Sequence, residues 1–379
     1  MAVLGPLDQP AAAGDGVAAA IAGLLAGAGS APPAVQARVF STMPPLRGVE
    51  RAVGDGVDMT NWNVVIDDVV IIKVTTRLGD GDRAVRLVSA VSRHAPDAVP
   101  TLYGALELHS PDDVAVVATA TALVPGAVDG WTWAVDELEA HLDGGASTAW
   151  PAAVGAMLAG VHAALRRETE AVGCSADDAH LVSAFVRDAH ELSTDDDPLA
   201  RRLAARLDAM LHDVTALTAG SAPRFAIHGD LHLGQLLRDL DHRFTLIDFD
   251  GDPQAALGHD EADAAVDLAH LLVSIDLVGA IAAKRRQHDD PRIIDWCTQM
   301  QQQLLSAYRT ELARRGSSEL LDAARLPGLR AAQLVRELTY ARDYLPRWSY
   351  AADWAISHRY SPRPDAEDPS WIPPALPTT

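Results

Sequence analysis

Asp230, Gln235, Asp248 and Asp250 fall within 21 residues of one another, and Lys73 stands far upstream. Together these types can move a phosphoryl group. A hydroxyl acceptor needs a carboxylate to take its proton, and Asp230 follows an apolar run, Phe225 to Ile227, then His228 and Gly229, where the chain can turn sharply. A nucleoside triphosphate needs Mg²⁺ held by oxygen donors on a rigid support. Gln235 lies five residues after Asp230, and Asp248 thirteen after Gln235. An amide oxygen and a carboxylate across a hairpin suit that ion. Asp250 shares a face with Asp248 if the strand continues, which makes it a candidate for a second ion. Asp250 and Asp252, beside Gly251 and Pro253, equally fit a turn. His228 is read as a hydrogen-bonding support for the loop.

Lys73 is the only lysine among the first 283 residues, Lys284 being the other. A lone lysine ending an apolar strand is explained by a phosphate that needs a point cation. The competing reading is an edge-strand lysine that blocks aggregation. Residues 54–63 are a candidate phosphate-covering loop, with Gly54 and Gly56 allowing close approach and Thr60, Asn61 and Asn63 able to donate. Thr121, Ala122 and Leu123, late in an apolar strand, are candidate nucleotide contacts. The Gly79–Asp82 run lacks the later carboxylate of a Ca²⁺ loop and is read as a turn.

The elements that must hold these residues follow from periodicity and punctuation. Residues 14–29 predict a helix of small side chains, and 36–53 strand and loop. Two β-branched runs, 64–66 and 69–74, flank Asp67–Asp68 and predict a hairpin. A helix is expected over 82–94 and a buried strand over 114–124. From Trp131 onward the pattern turns helical, with candidates at 134–142, 149–166, 177–192, 198–218, 261–283, 291–314 and 328–345. A hairpin over 235–249 interrupts them. The expected class is α+β and bilobal: a β-rich lobe over 1–124 and a mostly helical lobe over 125–379. The Pro-rich tail, 361–379, is expected to wrap the surface or fray.

Composition narrows the partners. The 379 residues carry 31 basic and 52 acidic side chains, a formal charge of −21. That excess disfavours nucleic acid and anionic membranes, and it repels free ATP, so the nucleotide is expected as its Mg²⁺ complex. Two cysteines, Cys174 and Cys297, make neither a disulfide framework nor a metal pattern. The apolar stretches 16–29 and 268–283 lack the flanks of a signal peptide and the length of a span, and read as packed helices. A soluble, cytoplasmic monomer or homodimer is expected.

These motifs resemble the aminoglycoside phosphotransferase superfamily over nearly the whole chain, and most closely the actinobacterial maltokinases and their relatives, the glucosamine kinases. The resemblance rests on four stretches. They are Ile71–Val74 with the later Ala98–Gly104, the Val124–Trp133 segment, the catalytic pair of motifs, and Glu337–Tyr350. It implies a protein-kinase-like fold and ATP and Mg²⁺ as cofactors. Two positions depart from the family pattern. Gln235 stands where Asn is common, and the helix after Lys73 offers Arg83–Ala84–Val85–Arg86–Leu87–Val88 without the usual Glu. Lys73 must then be positioned by Asp58, Asp68 or an acid further along.

The acceptor pocket is expected in the C-terminal segment. Gln333, Glu337, Tyr340 and Tyr344 recur at spacings of 4, 3 and 4 and share a helix face. Arg347 and Trp348 follow, and Trp131 and Trp133 are candidates for the opposite wall. An amide, a carboxylate and phenols suit a sugar, whose hydroxyls need directional partners and whose ring needs a flat platform. A carboxylate such as Glu337 would also pair with an ammonium. With the short region ahead of Lys73, this leans the resemblance toward glucosamine, phosphorylated at its 6-hydroxyl. Maltose at the anomeric hydroxyl, an aminoglycoside acceptor, and a nucleotide-binding pseudokinase are the alternatives.

Overall fold

A computed structural model describes residues 12–53, 62–75, 81–111, 113–145, 149–169, 178–217, 221–252 and 261–375. The chain divides into two compact units, each discontinuous: Met1–Val128 with Leu237–Gln254, and Asp129–Leu236 with Ala255–Thr379. The division differs from a single cut after residue 124, because residues 237–254 group with the N-terminal part.

The first unit is built on a six-stranded antiparallel sheet. Its strands are β1 (Val35–Val39), β2 (Glu50–Ala52), β3 (Trp62–Ile66), β4 (Val70–Val74), β5 (Leu102–His109) and β6 (Val114–Ala122), in the order β1-β5-β6-β4-β3-β2. Asp67 and Asp68 join β3 to β4 with φ values of 52° and 55°, closed by Val69 N–H on Ile66 O at 3.0 Å. Two successive left-handed residues, followed by Val69, give a tight turn whose twist matches paired strands. Asp67 tolerates the position because its carboxylate accepts the N–H groups of Arg47, Gly48 and Val49.

Along β4 burial alternates. Val70, Ile72 and Val74 pack with Val64, Ile66, Ala118 and Ala120 against α1 (Val17–Leu25) through Ala18, Ala22 and Leu25. Ile71 and Lys73 project to the opposite face, where Val85 of α2 (Gly81–His94) packs on Leu102, Ala105 and Val116. The strand that keeps Lys73 in place is thus fixed by apolar contacts on its other side. The strand β5 was not anticipated as one. Gly104 and two register shifts, at Leu102/Gly104 and Leu106/Glu107, break its alternation.

The second unit is mostly helical. It contains α3 (Gly130–Leu142), α4 (Trp150–Glu168), α5 (Ala179–Leu192) and α6 (Pro198–Thr215), then the short strand β7 (Phe225–Ala226). Next come β8 (Leu236–Arg238) and β9 (Phe244–Leu246), which pair as the expected hairpin; all but Leu236 belongs to the first unit. The chain returns through β10 (Glu261–Ala262), paired with β7, to α7 (Ala264–Arg286), α8 (Pro291–Arg315), α9 (Leu326–Tyr344) and α10 (Ser349–Arg359). Aspartates start several helices by accepting an early N–H: Asp129 from Thr132, Asp197 from Ala200, Asp263 from Ala265 and Asp290 from Arg292. The helix α7 is long and apolar enough to cross a membrane by composition, but 83% of its most apolar window is buried in the unit. It is a core helix. The tail wraps: Arg206 pairs with Asp368 at 2.6 Å, Arg363 N–H meets Ala205 O at 2.8 Å, and Gln287 donates to Pro374 O at 2.9 Å.

Candidate active site

In the first unit the chemistry gathers at the end of β9. The Lys73 ammonium lies 2.5 Å from Asp248 Oδ1 and 2.7 Å from Asp250 Oδ2. Burial works to lower the lysine pKa, but the two carboxylates outweigh it and hold it raised, so Lys73 keeps its charge. The partners of Lys73 are therefore acids further along. Asp68 instead holds Arg51 at 2.7 Å, and Asp58 lies outside the described residues.

The expected strand alternation does not place Asp250. The strand ends at Leu246, and Asp248 takes φ 64°, left-handed, so a turn brings both carboxylates to one cation. Arg83 of α2 donates to Phe249 O, and the Phe249 ring is buried. Thr121 and Ala122 sit opposite Ile71 and Val70 across the β4–β6 ladder. The N–H groups of Ala122 and Leu123 are committed to Thr101 O and Val69 O at 2.8 Å each. Nucleotide contacts there must use carbonyls or side chains. Asn61, like Gly54, Gly56 and Thr60, lies outside the described residues, while Asn63 sits opposite Lys73 in β3.

In the second unit the His228–Gly229–Asp230 loop leaves β7 and is held from beneath by an aspartate that sequence reasoning missed. Asp267, in the first turn of α7, accepts from His228 N–H and Gly229 N–H, both at 2.8 Å, and from the His162 ring at 3.1 Å. Burial alone would raise its pKa. The His162 bond, the charges of His162 and His228 and the Gly229 N–H overcome that and lower it to about 2. His162 is itself fixed by Tyr308 Oη at 2.7 Å. His228 Nδ1 lies 3.3 Å from Asp230 N–H, which is the supporting role expected of it.

Gln235 ends the short turn Leu233–Gln235, and its amide Nε2 lies 3.3 Å from His232 Nε2. His232 stacks on Trp131 with centroids 5.5 Å apart. Trp131 thus also supports the loop. Trp133 is no wall: it is fully buried against Trp150 and donates to Leu236 O at 3.1 Å. A Cβ on Gly130 would meet Leu233 O at 1.9 Å, so only glycine lets α3 approach the turn this closely.

The face of α9 carries the expected polar stripe. Gln333 Nε2 donates to Glu337 Oε1 at 2.8 Å. Burial raises the Glu337 pKa against that bond, and the neighbouring Asp230 charge raises it further, while His232 and Arg336 lower it. Glu337 is therefore within electrostatic reach of Asp230. Tyr340, Tyr344 and Trp348 are 39%, 64% and 40% exposed, which excludes a core role for them. The two phenol rings lie 5.1 Å apart, Trp348 stacks on Tyr350, and Arg347 is exposed beside them.

A lysine strand facing two carboxylates of a post-strand turn, with a braced His-Gly-Asp loop in a helical unit, defines a kinase-like phosphotransferase with an alcohol acceptor. No family model matches the chain. It is 34% identical over 367 residues to a glucosamine kinase of Streptacidiphilus jiangxiensis, covering 91% of this chain and 81% of that one. It is 31% identical over 313 residues to a glucosamine kinase of Mycolicibacterium smegmatis, covering 79% and 77%. A solved structure of a glucosamine kinase in complex with glucosamine, ADP and inorganic phosphate superposes with a TM-score of 0.78 at 30% identity, covering 94% of this chain and 86% of that one. The chain belongs to the glucosamine kinase family.

Proposed function

We propose that this protein transfers the γ-phosphoryl group of ATP to the 6-hydroxyl of D-glucosamine, giving glucosamine 6-phosphate and ADP. The observation that carries the choice of acceptor is Glu337. Its carboxylate lies on the polar face of α9, held by Gln333 and sensed by Asp230. A neutral sugar needs no charge there, whereas an ammonium gains a charge-assisted bond. The glucosamine bound in the similar solved structure supports the same reading.

The roles follow from chemistry. Asp230 accepts the proton of the attacking hydroxyl and orients its oxygen in line with the γ-phosphorus. That oxygen bonds to phosphorus as the bridging bond to ADP breaks. Lys73 leaves its carboxylate partners to meet the α- and β-phosphates. Thr121, Ala122 and Leu123 bound the nucleotide, and Gln333, Tyr340, Tyr344, Arg347, Trp348 and Trp131 bound the sugar. Asp248, Asp250 and Gln235 would hold the metal. The donor set fits Mg²⁺: two carboxylate oxygens already converge on one cation, the Lys73 ammonium. Mg²⁺ is commonly held by one or two carboxylates, with phosphates and water completing its shell. A bound Mg²⁺ supplies neutralisation of charge on the β- and γ-phosphates. The setting is cytoplasmic, as a monomer or homodimer.

The test is a product analysis. Purified protein with MgATP and glucosamine should yield glucosamine 6-phosphate, identified by ³¹P–¹H correlation. Phosphate at the anomeric position instead would reject the assigned hydroxyl.

A further inference from the structure

In the helix after the lysine strand Asp82 lies 3.6 Å from Arg38, while Lys73 meets Asp248 and Asp250, and the helix still reaches the segment that carries those two acids. Arg83, in the first turn of α2, is 7% exposed and donates to Phe249 O at 2.5 Å. A Cβ built on Gly251 would come within 3.1 Å of the same guanidinium. The arginine therefore lies against the main chain of residues 249–251, between and just beyond the two carboxylates.

That main chain needs holding. Asp248 sits at φ 64° and Gly251 at φ 84°, the first unfavourable for a residue with a Cβ. Such a backbone persists where its surroundings over-determine it. Lys73 and Arg83, from the same unit, both anchor it, and they respond differently to nucleotide. The Lys73 bonds use the carboxylate oxygens that a divalent cation takes, and the ammonium itself is needed by phosphate. A cation on those oxygens and a phosphate on the ammonium would both compete with these bonds. The Arg83 bond uses a carbonyl, so neither ligand competes for it.

Resting on the reading of Asp248 and Asp250 as metal-holding groups, we propose that Arg83 is a positioning residue of the phosphoryl-transfer site. It fixes the backbone turn from which both carboxylates face one cation, and it keeps that turn after Lys73 has moved to the phosphates. The alignment that a helix carboxylate gives by pairing with the lysine is thus supplied by a helix cation acting through the main chain. Gly251 belongs to the same device, since its φ of 84° favours glycine and a Cβ there would press on the guanidinium at 3.1 Å.

The experiment measures Mn²⁺ affinity in the presence of ADP by paramagnetic resonance, together with kcat and both KM values. It compares wild type, Arg83→Met, Arg83→Lys and Asp248→Asn. Arg83→Met should weaken Mn²⁺ binding about tenfold, the usual scale for a residue that supports a metal ligand. It should also lower kcat and raise the KM for MgATP, while the KM for glucosamine stays within about twofold. Arg83→Lys, which restores one donor, should recover part of the loss. Wild-type Mn²⁺ affinity in Arg83→Met, alongside its loss in Asp248→Asn, overturns the role of Arg83 alone. Wild-type affinity in Asp248→Asn overturns the metal reading and the inference with it. Should Arg83→Met not fold, Gly251→Ala decides from the loop side. The same split is expected there, and unchanged constants would overturn the proposal.

Discussion

Under the proposed function, the carboxylates of Asp230 and Glu337 are asked for different things. Asp230 must take a proton, so Asp230→Asn should cut kcat by about 10³-fold or more while MgADP still stabilises the protein in a thermal shift. Retained turnover would remove Asp230 from its role. Glu337 must stay charged to hold an ammonium. Glu337→Gln should raise the KM for glucosamine by about 10- to 100-fold, on the scale of a lost charge-assisted hydrogen bond, with the KM for MgATP unmoved. Because burial raises the Glu337 pKa, the protonated, uncharged form is reached at higher pH than for an exposed glutamate. The wild-type KM for glucosamine should therefore climb as pH falls through that raised value, and Glu337→Gln should lack this component. A pH profile shared by both proteins would assign the recognition elsewhere. At this scale, residue types at fixed spacing singled out Asp230, Gln235, Asp248 and Lys73 as candidates, and the fold brings Lys73 to Asp248. The sequence was silent on partners. The acids that meet Lys73 lie 175 and 177 positions away, and no local pattern connects them.

At the scale of elements, the His228–Asp230 loop is positioned by α7 and α3 as well as by its own His228. Asp267 supplies the bond from α7. Its folded pKa of about 2 lies below the ordinary carboxylate value of about 4. Its stabilisation is therefore fully present above about pH 4 and is lost as pH falls through about 2. The lost contribution is on the order of 2 kcal/mol. Urea unfolding at a series of acidic pH values should show this slope in wild type and a lower, flatter curve in Asp267→Asn. Equal curves would mean the buried carboxylate is not what braces the loop. Gly130→Ala should be severe, about 3 kcal/mol or more, because its Cβ would overlap the Leu233 carbonyl and neither backbone can yield. A melting temperature within about 2 °C of wild type would contradict that packing. The long helices and the β3–β4 hairpin were legible from apolar periodicity and a polar pair at the turn. The strand β5 was not, since its register shifts break the alternation. Nor was α10, an 11-residue helix directly after Pro346–Trp348 whose Asp353 is buried by pairing with Arg202 at 2.5 Å. An aspartate in a short segment reads as surface until its distant arginine is known. Asp267 was hidden for the same reason, because an acid in the first turn of a helix looks like an ordinary dipole partner.

For the whole molecule, a charge of −21 with two lysines in 379 residues makes the retained Lys73 and its convergent acids a concentrated exception. The α+β class followed from the change of pattern near Trp131. The discontinuity of the two units did not, because a hairpin's packing allegiance is decided by contacts and not by its position in the chain. The central claim is that an acidic chain with a kinase-like site reads the ammonium of an amino sugar. MgATP-dependent ADP release tests it most directly, run in parallel with glucosamine, glucose, N-acetylglucosamine and maltose. A kcat/KM for glucosamine at least about tenfold above those for glucose and N-acetylglucosamine, which lack a free ammonium, is the result this account requires. Equal rates on glucose, or turnover of maltose alone, would contradict it.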